Sequence, residues 1–159
     1  MRDVTLCFLT RGDEILLGLK KRGFGKDKFN GFGGKLNNGE SIEQAVIREM
    51  YEETTVKVNS NDLNKVGELI FRFPESKKDW NQKVHVFFIN RWDGEPIETE
   101  EMKPVWIRTD SLPFEKMWAD DKYWLPMVLD GKIVKGDFSF AEDAESFTEM
   151  KLDQIGEWQ

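Results

Sequence analysis

GKLNNGESIEQAVIREMYEETTV, residues 34–56, is the stretch around which the rest of the chain is arranged. Within it Glu49, Glu52 and Glu53 stand at i, i+3 and i+4. On a helix that spacing stacks three carboxylates on one side. Ser41 followed by Gln44 fits a capping box. Glu43 puts negative charge in the first turn, where the helix dipole favours it. Ala45, Arg48, Glu49, Met50 and Glu52 are good helix formers, and no Gly or Pro interrupts residues 41–54. At about 100° per residue, Ile42, Ala45, Val46 and Met50 fall on one face and the three carboxylates fall among them. A merely solvated acidic face would lie opposite the apolar stripe. Carboxylates crowded beside a core repel one another and resist desolvation unless a cation joins them. Hard oxygen donors of this kind suit Mg2+ or Mn2+.

The 159 residues suffice for one domain with a real core, expected to span 1–159. A net charge of -7 argues against a binder of nucleic-acid polymers, which needs a basic face. It also means that an anionic substrate must be met by local cations or by metal. The single cysteine, Cys7, excludes an internal disulfide and suits a reducing compartment. No apolar run is long enough to span a membrane, and the N-terminus lacks a signal-peptide pattern. The expectation is a cytoplasmic protein, monomeric and without membrane contact.

Val4 to Leu9 and Glu14 to Leu19 are apolar runs around the turn Arg11-Gly12-Asp13 and predict a hairpin. Thr5 in the first run reads equally as a β-former or as a ligand contact. A segment rich in Gly and Lys follows at 20–35. Its Lys20, Lys21, Arg22 and Lys35 offer positive charge, and its glycines offer a rim for phosphates and metal. Strands are expected from Val56, over Lys65–Phe73, over Lys83–Trp92 and over Val105–Arg108, with a polar loop at Pro74–Asn81. His85 lies mid-strand without Cys or His partners and reads as structural. Asp120–Asp130 predicts a second helix containing Pro126, and Ile133–Phe140 with Phe147–Leu152 a closing hairpin. Strands and two helices mixed along one chain predict an α+β fold, a mixed β-sheet flanked by helices.

Gly34-x5-Glu40-x7-Arg48-Glu49-Met50-x-Glu52-Glu53-x-Thr55-Val56 resembles the signature of the Nudix hydrolases. One position departs. Thr55 stands where the family has Gly, which suits a helix exit with φ > 0, whereas a β-branched residue is poor there. Further stretches resemble the branch of eukaryotic MutT homologues that hydrolyse oxidised purine nucleoside triphosphates such as 8-oxo-dGTP. They are LysLysArgGlyPheGly at 20–25, AsnGlyPheGlyGlyLys at 30–35, ValHisValPhe at 84–87, GluMetLysPro at 101–104 and MetTrpAlaAspAsp at 117–121.

This resemblance implies an α/β/α sandwich, cleavage of a small-molecule nucleoside triphosphate to monophosphate and pyrophosphate, and a Mg2+ requirement, with Mn2+ as the other suitable ion. Carried over by position, it implies metal ligation by the Gly33 carbonyl, Glu49, Glu52, Glu53 and Glu101. Arg48 would orient the carboxylates and Glu40 would brace the corner between loop and helix. A base pocket would use Thr5, Phe24, Asn30, Phe71, Phe73, Trp118, Asp120 and Asp121, with Lys20 near the nucleotide. Gln82 stands where an apolar pocket residue is expected. By residue chemistry alone, Trp118 can stack on a base, and adjacent carboxyls can accept from the N–H groups of a guanine edge. Asp120-Asp121 also reads as a plain helix cap with an exposed first-turn acid. Two other functions compete: a Nudix hydrolase of another nucleoside diphosphate derivative, such as ADP-ribose or a dinucleoside polyphosphate, and a non-catalytic nucleotide sensor.

Overall fold

The computed structural model describes residues 1–158; Gln159 lies outside the described residues. The two apolar runs at the N-terminus form β1 (Arg2–Arg11) and β2 (Glu14–Lys20). Their hairpin is brief, with only Thr10–Ile15 and Arg11–Glu14 paired. β2 then leaves β1 and pairs along its whole length with a later strand, β6 (Met102–Arg108). β1 instead runs parallel to β5 (Gln82–Ile89), from Arg2 opposite Gln82 to Leu9 opposite Ile89. With β3 (Phe29–Asn30), β4 (Asn64–Arg72), β7 (Ile133–Phe140) and β8 (Phe147–Ile155), the order is β3-β2-β1-β5-β4-β7-β8, and β6 pairs with β2 off that path. The sheet is mixed, as the sequence predicts.

Side chains alternate across each strand, and the alternation sorts them into two cores. Val4 and Phe8 of β1, Ile15 and Leu17 of β2, and Val84 and Val86 of β5 join one core. Cys7, Leu9, Leu16, Phe87 and Ile89 from the same strands join the other. Helix α2 (Asp121–Leu129) covers the first core with Trp124, Leu125 and Val128. Helix α1 (Ile42–Thr54) covers the second with Val46 and Met50. Each such buried side chain contributes about 1.5–3 kcal/mol, so both helices are held by apolar burial on opposite faces of one sheet. No helix among the described residues is long and apolar enough to cross a membrane.

Helix α1 begins as its sequence dictates. The Gln44 N–H donates to Ser41 Oγ at 3.1 Å, and the Ser41 N–H donates to Gln44 Oε1 at 2.9 Å. Its exit is less usual. Thr55 takes φ 66° and ψ 5°, a left-handed cap, and its N–H reaches the Tyr51 carbonyl at 2.8 Å. The chain therefore makes the turn expected of a glycine with a β-branched residue.

Two local expectations change, one strand and one loop. Val56–Val58 forms only a bridge between Lys57 and Asp93, because the chain turns into a 3-10 turn at Ser60–Asp62. The polar loop 74–81 holds 3-10 geometry at Glu75–Trp80. His85 is buried, with Nε2 2.9 Å from Asp3 Oδ1 and Nδ1 3.1 Å from Lys65 Nζ. An ammonium only donates, so Nδ1 accepts and Nε2–H donates to Asp3. That is the structural role expected of it.

Candidate active site

The departure of β2 from β1 opens a gap in the sheet, and residues 30–35 fill it. Phe32 bridges to Cys7 and Lys35 to Val4, and the Thr5 N–H donates to the Gly34 carbonyl at 2.9 Å. Two glycines make the fit. A Cβ on Gly33 would lie 1.9 Å from the Thr5 carbonyl oxygen, and one on Gly34 would lie 2.8 Å from Glu49 Oε1. The loop is wedged between a strand and the acidic face of α1, so a side chain is excluded at Gly33, and one at Gly34 would push the Glu49 carboxylate aside.

Arg48 organises the carboxylates from behind. Its Nε and Nη2 donate to the two oxygens of Glu40 at 2.7 and 2.8 Å. Its Nη1 reaches Glu49 at 2.8 Å and Glu52 at 3.2 Å, and Nη2 also reaches the Lys35 carbonyl at 3.0 Å. Arg48, with help from the Asn37 N–H, pulls the Glu40 carboxyl down to about 2. Glu40 thus stays ionised and braces the corner. Glu53 has the opposite environment. Burial first, and then the neighbouring Glu49, push its carboxyl up to about 8; the Gly33 amide and Lys20 act against this. Its Oε2 is buried without a hydrogen-bond partner. The buried Cys7 thiol is also pushed up, by burial and by Glu53.

The other acidic groups face cations. Glu52 turns to Arg48. Glu101 Oε1 accepts from Arg22 Nε at 2.9 Å and Nη2 at 2.6 Å, and its Oε2 is 3.6 Å from Lys20. Lys21 pairs with Glu98 at 2.6 Å. This corrects the expectation for the basic run. The acidic loop 98–101 draws off Lys21 and Arg22, and the lysines that line the cleft are Lys20, Lys28 and Lys35. As placed, no three Asp, Glu, His or Cys side chains among the described residues enclose a metal position. The donor chemistry nevertheless fits a hard divalent cation. All the candidate groups offer oxygen, and the unpartnered Glu53 oxygen carries a desolvation cost that a cation would relieve.

One cleft of about 930 Å³ joins this acidic corner to an aromatic chamber. Thr5, Lys20, Phe24, Asn30, Gly33, Phe71, Phe73, Trp118, Asp120, Asp121, Glu49, Glu52, Glu53 and Glu101 all line it, while Arg48 and Glu40 stand behind the wall. Gln82, directly across from Phe71, also lines it. Phe24 stacks on Trp118 with centroids 5.3 Å apart, and Phe73 on Phe140 at 5.0 Å; Trp80 meets both Phe24 and Phe73 edge-on. Trp80, Phe140 and Lys28 were not legible as site residues. A lone tryptophan in a polar loop was the only signal for Trp80; Phe140 reads as an ordinary strand residue.

The plain capping role for Asp120 does not hold. Its side chain makes no cap bond, and its Oδ2 accepts from the Trp124 indole N–H at 2.7 Å. Both aspartates are buried. Desolvation raises the Asp120 carboxyl, against the pull of Trp124. It raises Asp121 well above the usual range, reinforced by the charge of Asp120 and opposed by the Trp118 amide and Lys28. Both carboxyls are thus raised, Asp121 the further, and its Oδ2 has no hydrogen-bond partner among the described residues.

The sequence pattern of the NUDIX domain family matches residues 1–128. The chain is 42% identical over 152 residues to an oxidized purine nucleoside triphosphate hydrolase of Danio rerio, covering 96% of this chain and 94% of that one. It is 40% identical over 154 residues to the Mus musculus protein of the same name, covering 97% and 96%. Its fold is similar to the crystal structure of a mutator MutT protein from Bacillus halodurans, with a TM-score of 0.82 and 29% identity over 96% of this chain and 98% of that chain.

Proposed function

The chain belongs to the Nudix family, and from that premise we propose that it hydrolyses oxidised purine nucleoside triphosphates to the monophosphate and pyrophosphate. One observation carries the reading. A single cleft holds, among the described residues, a carboxyl group with a buried, unpartnered oxygen at each end, Glu53 beside Gly33 and Asp121 beside Trp118. The first calls for a cation and phosphates, the second for a hydrogen-bonding base.

The proposal assigns metal ligation to the Gly33 carbonyl, Glu49, Glu52, Glu53 and Glu101, with Mg2+ or Mn2+ as the ion. When bound, such an ion neutralises phosphate charge and lowers the pKa of a water. Arg48 holds Glu49 and Glu52 in register and Glu40 holds Arg48. Glu52 and Glu101 must turn from their cationic partners to ligate, and both are accessible enough to do so. Lys20 and Lys35 meet phosphate charge. Trp118, Phe24, Phe71 and Phe73 enclose the base, and Asn30, Thr5, Asp120 and Asp121 supply its polar contacts. The chain is proposed to act as a cytoplasmic monomer, one Nudix domain over 1–159, that sanitises the nucleotide pool and takes no nucleic-acid polymer.

The test is a pyrophosphate-release screen with Mg2+ and with Mn2+. Its substrates are 8-oxo-dGTP, 2-hydroxy-dATP, the unmodified triphosphates, ADP-ribose and a dinucleoside polyphosphate. The oxidised triphosphates are expected to lead by kcat/KM. A lead for ADP-ribose or the dinucleotide would replace this reading, and binding without turnover of any of them would make the chain a sensor.

A further inference from the structure

We propose that Trp80 is a specificity-determining residue, the ring that completes the aromatic wall of the chamber and limits the bulk of the base it admits. The inference rests on the reading of the cleft as a nucleotide site. Trp80 is carried by the connection between β4 and β5. Phe71 pairs with Gln82 across that hairpin, yet residues 73–81 lie between the two strands. A hairpin closes with roughly 2–5 residues, so this connection is longer than pairing requires. The extra length is tied down at two places. At its base the Phe73 N–H donates to Asn81 Oδ1 at 2.6 Å. Further out, Ser76 Oγ donates to Glu142 Oε2 and Lys77 Nζ to the Glu142 carbonyl, both at 2.8 Å, in the turn between β7 and β8. Trp80 is thereby held at the cleft, which its side chain lines.

The Trp80 ring completes a series. Trp118, just ahead of α2, stacks on Phe24 at 5.3 Å, and Phe24 meets Trp80 edge-on at 5.9 Å. Trp80 meets Phe73 edge-on at 5.8 Å, and Phe73 stacks on Phe140 of β7 at 5.0 Å. All five rings line the one cleft. Among the described residues no other ring joins Phe24 to Phe73, so without Trp80 the wall parts into two. The two parts have unequal support. Phe73 and Phe140 stand at the ends of sheet strands, whereas Phe24 is 73% exposed between Gly23 and Gly25, both at positive φ. Trp80 itself is 39% exposed, so it stands at the rim with one side wet. It therefore spans the opening that a bulky substituent on the base would need, and it holds Phe24 against Trp118. A wall of packed rings accepts a flat base and opposes added bulk, because closely packed side chains yield only at a cost.

The experiment compares wild type, Trp80→Ala, which opens the wall, and Trp80→Phe, which keeps a ring at the gap. Steady-state kinetics are measured on 8-oxo-dGTP and on two enlarged purine triphosphates, N2-benzyl-dGTP and 8-phenyl-dGTP, which carry bulk on opposite edges of the base. Calorimetry gives the Kd of 8-oxo-dGMP without metal. Trp80→Ala is expected to raise KM for 8-oxo-dGTP by about 3- to 10-fold, the scale of one aromatic contact. The Kd of 8-oxo-dGMP should weaken by a similar factor and kcat should change far less. For at least one enlarged triphosphate, kcat/KM relative to 8-oxo-dGTP should rise by about 10-fold, and Trp80→Phe should fall between the two. A purely structural tryptophan would lower Tm without that gain. No gain for either enlarged base in Trp80→Ala overturns the role of Trp80 alone, whether or not KM moves. A wild-type chain that turns over neither 8-oxo-dGTP nor any other purine triphosphate overturns the function proposed above, and this inference with it.

Discussion

Glu53 and Asp121 each carry a buried carboxyl oxygen without a hydrogen-bond partner among the described residues, and their surroundings assign them different work. Glu53 is crowded by Glu49 and faced by the Gly33 amide, so it awaits a cation. Glu53→Gln is expected to lower kcat by at least about 100-fold while KM changes far less, as for a group that acts on the chemical step. Wild-type turnover at saturating Mg2+ would remove the acidic face from catalysis. Asp121 instead costs stability. Its folded pKa is raised, so the folded chain holds a proton there that the unfolded chain has already released. Stability then falls as pH rises from the ordinary carboxylate range towards the folded pKa. Asp121→Asn removes that loss, so it should raise the Tm of the free protein more at pH 8 than at pH 4. An equal change at both pH values would show that Asp121 ionises freely in the fold.

At the scale of the element, α1 carries both the acids and an awkward ending. Thr55 holds φ 66° at the C-terminal cap, and among the described residues no side-chain hydrogen bond of Thr55 compensates. A left-handed conformation costs a residue with a Cβ roughly 1–2 kcal/mol, part of which glycine returns as greater freedom in the unfolded chain. Thr55→Gly should therefore stabilise by about 0.5–1 kcal/mol, which is roughly 1–4 °C in Tm for a domain of this size. Activity should be retained, because the backbone already holds at this position the left-handed φ that glycine adopts, so Glu52 and Glu53 in the preceding turn keep their places. A lower Tm would mean that the Thr55 side chain packs favourably enough to outweigh its backbone.

For the whole molecule, one continuous sheet passes between both cores, and β1 and β5 donate alternate residues to each. Neither core can melt without stripping the other of a strand face. Urea unfolding should be a single transition with coincident far-UV circular dichroism and tryptophan fluorescence. Trp124 reports the first core, and the stacked pair Trp92 and Trp106 reports the second. Two resolved transitions would show that the helices and their faces fold apart.

Local chemistry was enough to place much of this. The capping box, the i, i+3, i+4 carboxylates and the alternating strands depend on contacts within a few residues, so α1, most strands and the acidic face were legible from spacing alone. The α/β/α arrangement and the roles proposed for Gly33 and Asp120 came through resemblance, because they rest on a family's long-range pairing rather than on any local rule. Other features depended on tertiary structure outright. β2 abandons its hairpin for β6, some 80 residues further on, while β1 takes β5 as its parallel partner. Lys21 and Arg22 are lost to an acidic loop that only folding brings near, while Lys28 lies over Trp118. Asp120 forgoes a helix cap for the indole of Trp124, a choice made by burial. Charge and hydrogen-bonding capacity belong to each residue in the sequence; which partner takes them is set by the groups that packing brings within about 3 Å.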